Sequence, residues 1–422
     1  MKVLVVGSGG REHAIVRALH RTWNGDEALE VLCAPGNPGI ELDARCLPEV
    51  GGEDLPALVA LAQSEGVDLV AVGPEVPLVD GLVDALAAVG VKAFGPSRAA
   101  AQLEGSKVFC KEVLNAAGVP TAAHTVLHSK DEALAQLAGA AYPLVFKSDG
   151  LAAGKGVIIC PDEASAHAAI DEYFVDQRFG ETDVILEEFL DGVEVSLLAL
   201  CDGERAYSMT PARDYKRIFD NDEGPNTGGM GAFSPVPEVP PEKIAEISAA
   251  VHQPIVDEMK RRGAPFHGVL YAGLMLTSNG VRVLEYNTRF GDPETQALLP
   301  RLHSNLAELM LASVEPGGLA DVPIERSERQ SVTITLASAG YPESSSKGDV
   351  ISGLDNVPPD IEVTHAGTAR NDAGEIVTAG GRVLNVTALG PTVAAARSLA
   401  YDATTLISFD GMQLRSDIAA GI

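Results

Sequence analysis

Lys147-Ser148-Asp149-Gly150-Leu151-Ala152-Ala153-Gly154-Lys155-Gly156 is the stretch on which the fold turns. The apolar runs on either side, Leu144–Lys147 and Val157–Cys160, read as short strands. The loop between them is not a Walker A loop. Three residues separate Gly150 from Gly154, Gly156 follows Lys155 where Ser or Thr would be required, and the next element is a strand. A strand–loop–strand with a lysine at each end of its glycines suits a lid over phosphates. Lys147 on the rigid strand would hold an inner phosphate, and Lys155 on the loop would close over the terminal one. The alternative is a solvated glycine turn, but in a chain with 31 Lys+Arg against 59 Asp+Glu two lysines this close are less casual.

Toward the N-terminus, Val3–Val6, Val31–Ala34, Leu69–Val72 and Lys92–Phe94 are continuous apolar runs, with helical spacing at His13–His20 and Val79–Val89. Such strands alternating with helices predict a parallel sheet covered on both faces, a Rossmann-like unit. A helix near Ala99–Ala117 follows and stops at Gly118-Val119-Pro120. Toward the C-terminus come a helix near Ala164–Tyr173, strands Val184–Phe189 and Val193–Leu200, an irregular stretch Thr210–Pro237 and a helix near Pro241–Arg262. A hairpin of Val269–Thr277 and Val281–Tyr286 turns at Ser278-Asn279-Gly280, and a second hairpin, Glu375–Ala388, centres on Gly380-Gly381. The fold class is α/β.

The chain has 422 residues and a net charge of −28, which repels nucleic acid and anionic membranes. Anionic ligands must therefore be held locally, by helix N-termini, glycine-rich backbone and a few placed cations. No apolar run reaches the ~18 residues of a membrane span and no signal peptide precedes Val3, so the cytoplasm is expected. The five scattered cysteines, without Cys-x-x-Cys, read as free thiols, and the histidines show no zinc spacing.

Gly7-Ser8-Gly9-Gly10-Arg11-Glu12 follows a strand and opens a helix, where backbone N–H groups can receive an anion. Glu12 replaces the third glycine of a dinucleotide fingerprint, and the second strand ends Ala34-Pro35-Gly36-Asn37 without an acid for a ribose. The turn is thus an anion or sugar-phosphate site, or a plain connection. Glu187-Glu188-Phe189-Leu190-Asp191-Gly192-Val193-Glu194 joins two strands. It can offer main chain to a base edge and a carboxylate to ribose hydroxyls, or be an ordinary acidic hairpin. In Leu284-Glu285-Tyr286-Asn287, spacing two puts Glu285 and Asn287 on one strand face, as two oxygen ligands for Mg²⁺ or as a polar edge. Arg213–Arg217 and the glycine-rich Gly224–Gly231 fall in the irregular stretch, where long loops are often functional.

Several runs occur in order: Gly-Gly-Arg-Glu-His (9–13), Gly-Pro-Glu (73–75), Leu-Glu-Gly-Ser-Lys (103–107), Asp-Gly-Leu-Ala-Ala-Gly-Lys-Gly (149–156) and Glu-Glu-Phe-Leu-Asp-Gly (187–192). Gly-Pro-Asn-Thr-Gly-Gly-Met-Gly-Ala (224–232), Arg-Phe-Gly-Asp-Pro-Glu-Thr (289–295), His-Ala-Gly-Thr (365–368) and Gly-Gly-Arg-Val-Leu (380–384) follow. Over essentially its whole length the sequence resembles the phosphoribosylamine–glycine ligase (glycinamide ribonucleotide synthetase) family of the ATP-grasp superfamily. The resemblance implies a pre-ATP-grasp domain (1–103), an ATP-grasp domain (104–325, with a lid at about 122–192) and a small α+β C-terminal domain (326–422). No fused further domain is expected.

It also implies ligation of glycine to 5-phosphoribosylamine, with ATP as co-substrate and Mg²⁺ or Mn²⁺ held by Glu285 and Asn287. Lys107, Lys147, Lys155, Glu187, Glu188, Leu190 and Glu194 would contact ATP. Gly9, Gly10, Glu12, Asn37 and Glu75 would take phosphoribosylamine, with Glu12 accepting from ribose hydroxyls. Partners are these small molecules, not nucleic acid or membrane, and the chain is expected as a monomer or a dimer. Ser148 and Tyr215 depart from the Ala and His of many relatives, and Tyr215 puts in doubt any role needing an imidazole. Glycine, a zwitterion, needs an anion for its ammonium and a cation for its carboxylate. Asp214 and Arg289 are the candidates, and with Lys155 they form the expected catalytic set.

Overall fold

Val3, Leu4, Val5 and Val6 are all fully buried, and their side chains feed two cores. Val3 and Val5 pack with Ile15, Val16 and Leu19 on one face, Leu4 and Val6 with Leu58 and Ala62 on the other. This two-sided burial is why the strand is apolar throughout. In the computed structural model, which describes residues 1–151 and 156–422, the strand Lys2–Gly7 is the centre of a parallel sheet. The order is Arg45–Cys46, Glu30–Pro35, Lys2–Gly7, Leu69–Val72, Ala93–Phe94. The two-residue strand Arg45–Cys46 carries no periodicity and was not legible.

Three expected helices are each broken, Pro241–Arg262 dividing at His252 into Pro241–Val251 and Gln253–Arg261. Val79–Val89 resolves into Glu75–Asp80 and Leu82–Ala88, because Gly81 between them takes φ +95°. Ala99–Ala117 resolves into Arg98–Gly105 and Lys107–Ala117. At the break Ser106 is extended, and its Oγ accepts the Phe109 N–H at 3.1 Å. That N-cap starts the second helix at Lys107, so Lys107 and Lys111 stand one turn apart on the same face.

The next sheet is antiparallel, ordered His124–Leu127, Val184–Glu188, Leu144–Ser148, Val157–Cys160. Helices Lys130–Leu137 and Glu163–Phe174 cover one face around Phe146, Ile170 and Leu186. The strands on either side of the glycine loop lie where the sequence put them. Lys155 itself lies outside the described residues. A third, antiparallel sheet runs Ala206–Ser208, Val193–Asp202, His267–Thr277, Gly280–Asn287, and includes the expected first hairpin.

The last sheet is ordered Arg213–Asp214, Gly231–Ser234, Gln330–Ala337, Arg382–Gly390, Glu362–His365, backed by the helix Val393–Thr404. Its first two strands come from the stretch that reads as irregular. The second expected hairpin does not form. Ile376–Thr378 pairs with Thr368–Arg370, while Arg382–Gly390 pairs with Gln330–Ala337 and Glu362–His365. Gly380 and Gly381 serve close packing instead. A Cβ on Gly380 would lie 3.1 Å from the Cα of Gly367, and one on Gly381 would meet the Tyr341 ring at 2.3 Å. No helix among the described residues is long and apolar enough to cross a membrane.

Candidate active site

Strands of the second, third and last sheets, with the helices Gly10–Thr22, Glu75–Asp80, Arg98–Gly105 and Lys107–Ala117, border a cleft of about 640 Å³. Among the described residues nine Lys and Arg and ten Asp and Glu line it, so charge of both signs is concentrated here. Lys107, Lys147, Glu187, Glu188, Leu190, Glu194, Asp214, Glu285, Asn287, Arg289 and Glu75, all singled out in the sequence, share this wall. They converge from six separate chain segments.

The lysines are held by acids and carbonyls. Lys107 Nζ donates to the Gly150 carbonyl at 2.8 Å, and Asp149 accepts from Ser106 Oγ and the Val108 N–H, fixing the helix to the glycine loop. Glu187 is 3% exposed, and its two carboxylate oxygens lie 2.6 Å from Lys111 Nζ and 2.8 Å from Lys147 Nζ. Burial works against ionising Glu187, but Lys147 and Lys111 outweigh it and hold its carboxyl below the usual range. Burial also depresses the Lys107 and Lys111 ammonium groups, opposed by Glu285 and Glu187 respectively.

Glu285 and Asn287 do point to one side, with Tyr286 between them buried in the opposite core. Burial disfavours the Glu285 anion, yet Lys216, Lys147, Lys107 and Arg289 together keep its carboxyl below the usual range. Among the described residues no group of three His, Cys, Asp or Glu gathers that could hold an ion unaided. One carboxylate and one amide therefore fit a divalent ion whose other ligands are phosphate and water oxygens.

Lys216 pairs with Glu194, leaving Asp214 without a side-chain partner among the described residues. Burial first, and then Glu294 and Glu194, push the Asp214 carboxyl up to about 8, against the pull of Lys216. Glu294 is engaged below it, accepting from Tyr271 Oη at 2.6 Å. Arg289 is clamped: its guanidinium lies 2.8 Å from Glu104 and 3.3 Å from Glu75, and donates to Asn287 Oδ1 at 3.3 Å. Arg382, from the last sheet, donates to the carbonyls of Gly228 (2.7 Å) and Asp292 (2.6 Å) and pairs with the Asp292 carboxylate at 3.2 Å, pinning the glycine-rich 224–231 loop. Tyr215 is structural. Its ring lies under Arg415, 4.9 Å away, and its hydroxyl accepts the Ala419 N–H at 2.9 Å, which leaves no task for an imidazole.

The expected sugar-phosphate set is divided. Glu75 and the neighbouring Arg11 line the cleft, whereas Gly9, Gly10, Glu12 and Asn37 do not. Glu12 is 2% exposed, and each of its oxygens already has one partner, although a carboxylate oxygen can accept a second hydrogen bond. One oxygen takes the Gly9 N–H and the other the Arg11 guanidinium, both at 2.6 Å. Gly73 makes room for it, since a Cβ there would lie 2.0 Å from Glu12 Oε1. Asn37 is spent. Its amide donates to the Ser8 and His365 carbonyls and its oxygen accepts the Gly39 and Ile40 N–H groups. Lys111, Glu104 and Arg382 had no role assigned from sequence. The i, i+4 spacing of Lys107 and Lys111 was the signal available for the first.

A Rossmann-like unit and a small antiparallel lid closing on a second antiparallel sheet, with lysines from one side facing a carboxylate–amide pair from the other, define the ATP-grasp class. Family models narrow this. The N domain of phosphoribosylglycinamide synthetase matches residues 1–104, its ATP-grasp domain 105–295 and its C domain 331–421. The chain belongs to this family. It is 50% identical to the phosphoribosylamine–glycine ligase of Streptomyces coelicolor, over 100% of this chain and 99% of that one. It is 47% identical to the enzyme of the same name from Xanthomonas axonopodis pv. citri, over 99% and 97%. Among solved structures, phosphoribosylamine–glycine ligase from Thermotoga maritima superposes with a TM-score of 0.83 at 31% identity, covering 99% of this chain and 100% of that one. The biotin carboxylase domain of Hydrogenobacter thermophilus 2-oxoglutarate carboxylase, solved with MgADP and bicarbonate, shares the fold, with a TM-score of 0.73 at 17% identity over 98% and 91%.

Proposed function

We propose that the chain joins glycine to 5-phosphoribosylamine at the expense of ATP, giving glycinamide ribonucleotide, ADP and phosphate, a step of purine biosynthesis in the cytoplasm. The observation that carries this is the convergence of the lysines, Glu285 with Asn287, and the unpaired Asp214 in one cleft, in a chain of this family. A glycine carboxylate oxygen attacks the γ-phosphorus of ATP, ADP leaves, and glycyl phosphate forms. The amine of phosphoribosylamine then attacks the acyl carbon and phosphate departs with that oxygen. The residues' task is positioning and charge neutralisation.

Lys107 and Lys147 face the inner phosphates and Lys155 the terminal one, while the 187–194 segment takes base and ribose through its main chain and through Glu188, Leu190 and Glu194, with Glu187 holding the lysines behind it. Mg²⁺ or Mn²⁺ bound by Glu285 and Asn287 would supply further neutralisation of phosphate charge. The glycine ammonium goes to Asp214, whose carboxyl lacks a counter-charge. Keeping that nitrogen protonated prevents glycine from attacking its own acyl phosphate. The glycine carboxylate falls to Arg289, oriented in advance by Glu104 and Glu75. The phosphate of phosphoribosylamine goes to the Gly9–Gly10 turn beside Arg11 and Glu75, with Glu12 and Asn37 shaping that turn. The test is ADP release with ATP present, adding glycine and phosphoribosylamine singly and together. Fast release is expected only with both, and equal turnover with bicarbonate or another amino acid would reject the assignment.

A further inference from the structure

Glu187 is one buried anion facing two buried cations. Lys111 and Lys147 are 4% and 8% exposed, and each reaches a different oxygen of the same carboxylate. The two lysines differ in how they are tied. Lys111 Nζ also donates to Thr121 Oγ1 at 2.7 Å, and that hydroxyl in turn donates to the Val283 carbonyl at 2.6 Å. Among the described residues Lys147 has only a long 3.3 Å contact to the Leu284 carbonyl besides Glu187. A buried carboxylate stripped of its sole partner is strongly destabilising. Were Lys147 that sole partner, it could not leave Glu187 to meet a phosphate.

We propose that Lys111 is a positioning residue for the nucleotide: anchored by Thr121, it keeps the Glu187 carboxylate neutralised and so frees the Lys147 ammonium to turn to the phosphates. This rests on the reading of the cleft as the ATP site. It deepens that reading by assigning to it Lys111, on the cleft wall, and Thr121, behind it, as the support of Glu187. Without Lys111, Glu187 would hold Lys147 back, and phosphate affinity would fall even though every direct contact residue remains.

The experiment is ADP binding by titration calorimetry on the full chain, as a double-mutant cycle of Lys111→Gln and Lys147→Met. Lys111→Gln should weaken ADP about tenfold in the wild-type background and less than about twofold when Lys147 is already Met. Lys111→Arg, which keeps the charge, should stay within about threefold of wild type. If Lys111→Gln does not fold, Thr121→Val replaces it. Removing only the anchor should weaken ADP about threefold, again only while Lys147 is present. A loss of the same size in both backgrounds means a structural ion pair and overturns the proposal. No loss in either also overturns it. An unchanged ADP affinity in Lys147→Met alone overturns the nucleotide site itself.

Discussion

Asp214 offers the sharpest pH test. Its carboxyl is pushed up to about 8 by burial and by Glu294 and Glu194, while Lys216 is occupied by Glu194. Only the ionised form can pair with the glycine ammonium. At pH 7 about a tenth of the molecules carry it, a handicap of about 1 kcal/mol on glycine binding. The KM for glycine should therefore fall about fivefold from pH 7 to pH 8 and rise about tenfold from pH 7 to pH 6. The KM for ATP should change little. In Asp214→Asn the glycine KM should be high and flat with pH. Stability should move the other way. The folded-state value lies above the ordinary 3.8, so stability is lost as pH rises toward about 8. Asp214→Asn should then melt higher than wild type at pH 8. Initial rates at saturating ATP and phosphoribosylamine across pH 6–8, with melting curves for both proteins, check this. A wild-type glycine KM that is flat with pH, or the same slope in Asp214→Asn, refutes the reasoning.

Lys155→Ala should lower turnover at least about a hundredfold with an unchanged melting temperature, as expected for a cation aimed at the transferring phosphoryl group; wild-type turnover would reduce the loop to a connection. Glu285→Gln, which removes the one anion of the pair, should lose about a hundredfold in rate at limiting Mg²⁺, and Asn287→Asp should lose less; a Glu285→Gln protein with full activity there would move the metal elsewhere. Asn37→Ala strips partners from two carbonyls and two N–H groups, and should cost about 2–4 kcal/mol in urea unfolding; a loss below about 0.5 kcal/mol would mean that solvent replaces those bonds.

Long apolar strands were legible because burial on two faces leaves a signal in composition, as in Val3–Val6. Of the strands beside the glycine loop, Leu144–Ser148 is likewise buried throughout, while Val157–Cys160 was legible from its apolar composition although Ile159 is exposed. Helix breaks were not: Gly81 and Ser106 interrupt patterns whose apolar spacing continues across them, and only the N-cap bond of Ser106 marks the second. The Gly380-Gly381 hairpin was misread because a glycine pair looks alike in a turn and in a close crossing, and the deciding contacts, Gly367 and Tyr341, are remote in sequence. At the site, residue types that chemistry demands in pairs, such as Glu285 with Asn287, could be read from spacing. Glu12 and Asn37 could not be told from ligand contacts. Their side chains satisfy backbone groups that only the folded turn brings near, Gly9 in one case and Ser8 and His365 in the other. Lys111 was hidden because its partner Glu187 arrives from another sheet strand.

Activation of glycine as an acyl phosphate, proposed for this cleft, puts one of its carboxylate oxygens on phosphorus. It is tested most directly by supplying glycine labelled with ¹⁸O in its carboxylate, together with ATP and phosphoribosylamine, and weighing the phosphate released. One labelled oxygen is expected in the phosphate for each glycinamide ribonucleotide formed, because the attacking carboxylate oxygen leaves with phosphorus. Phosphate free of label, with product still formed, would contradict it.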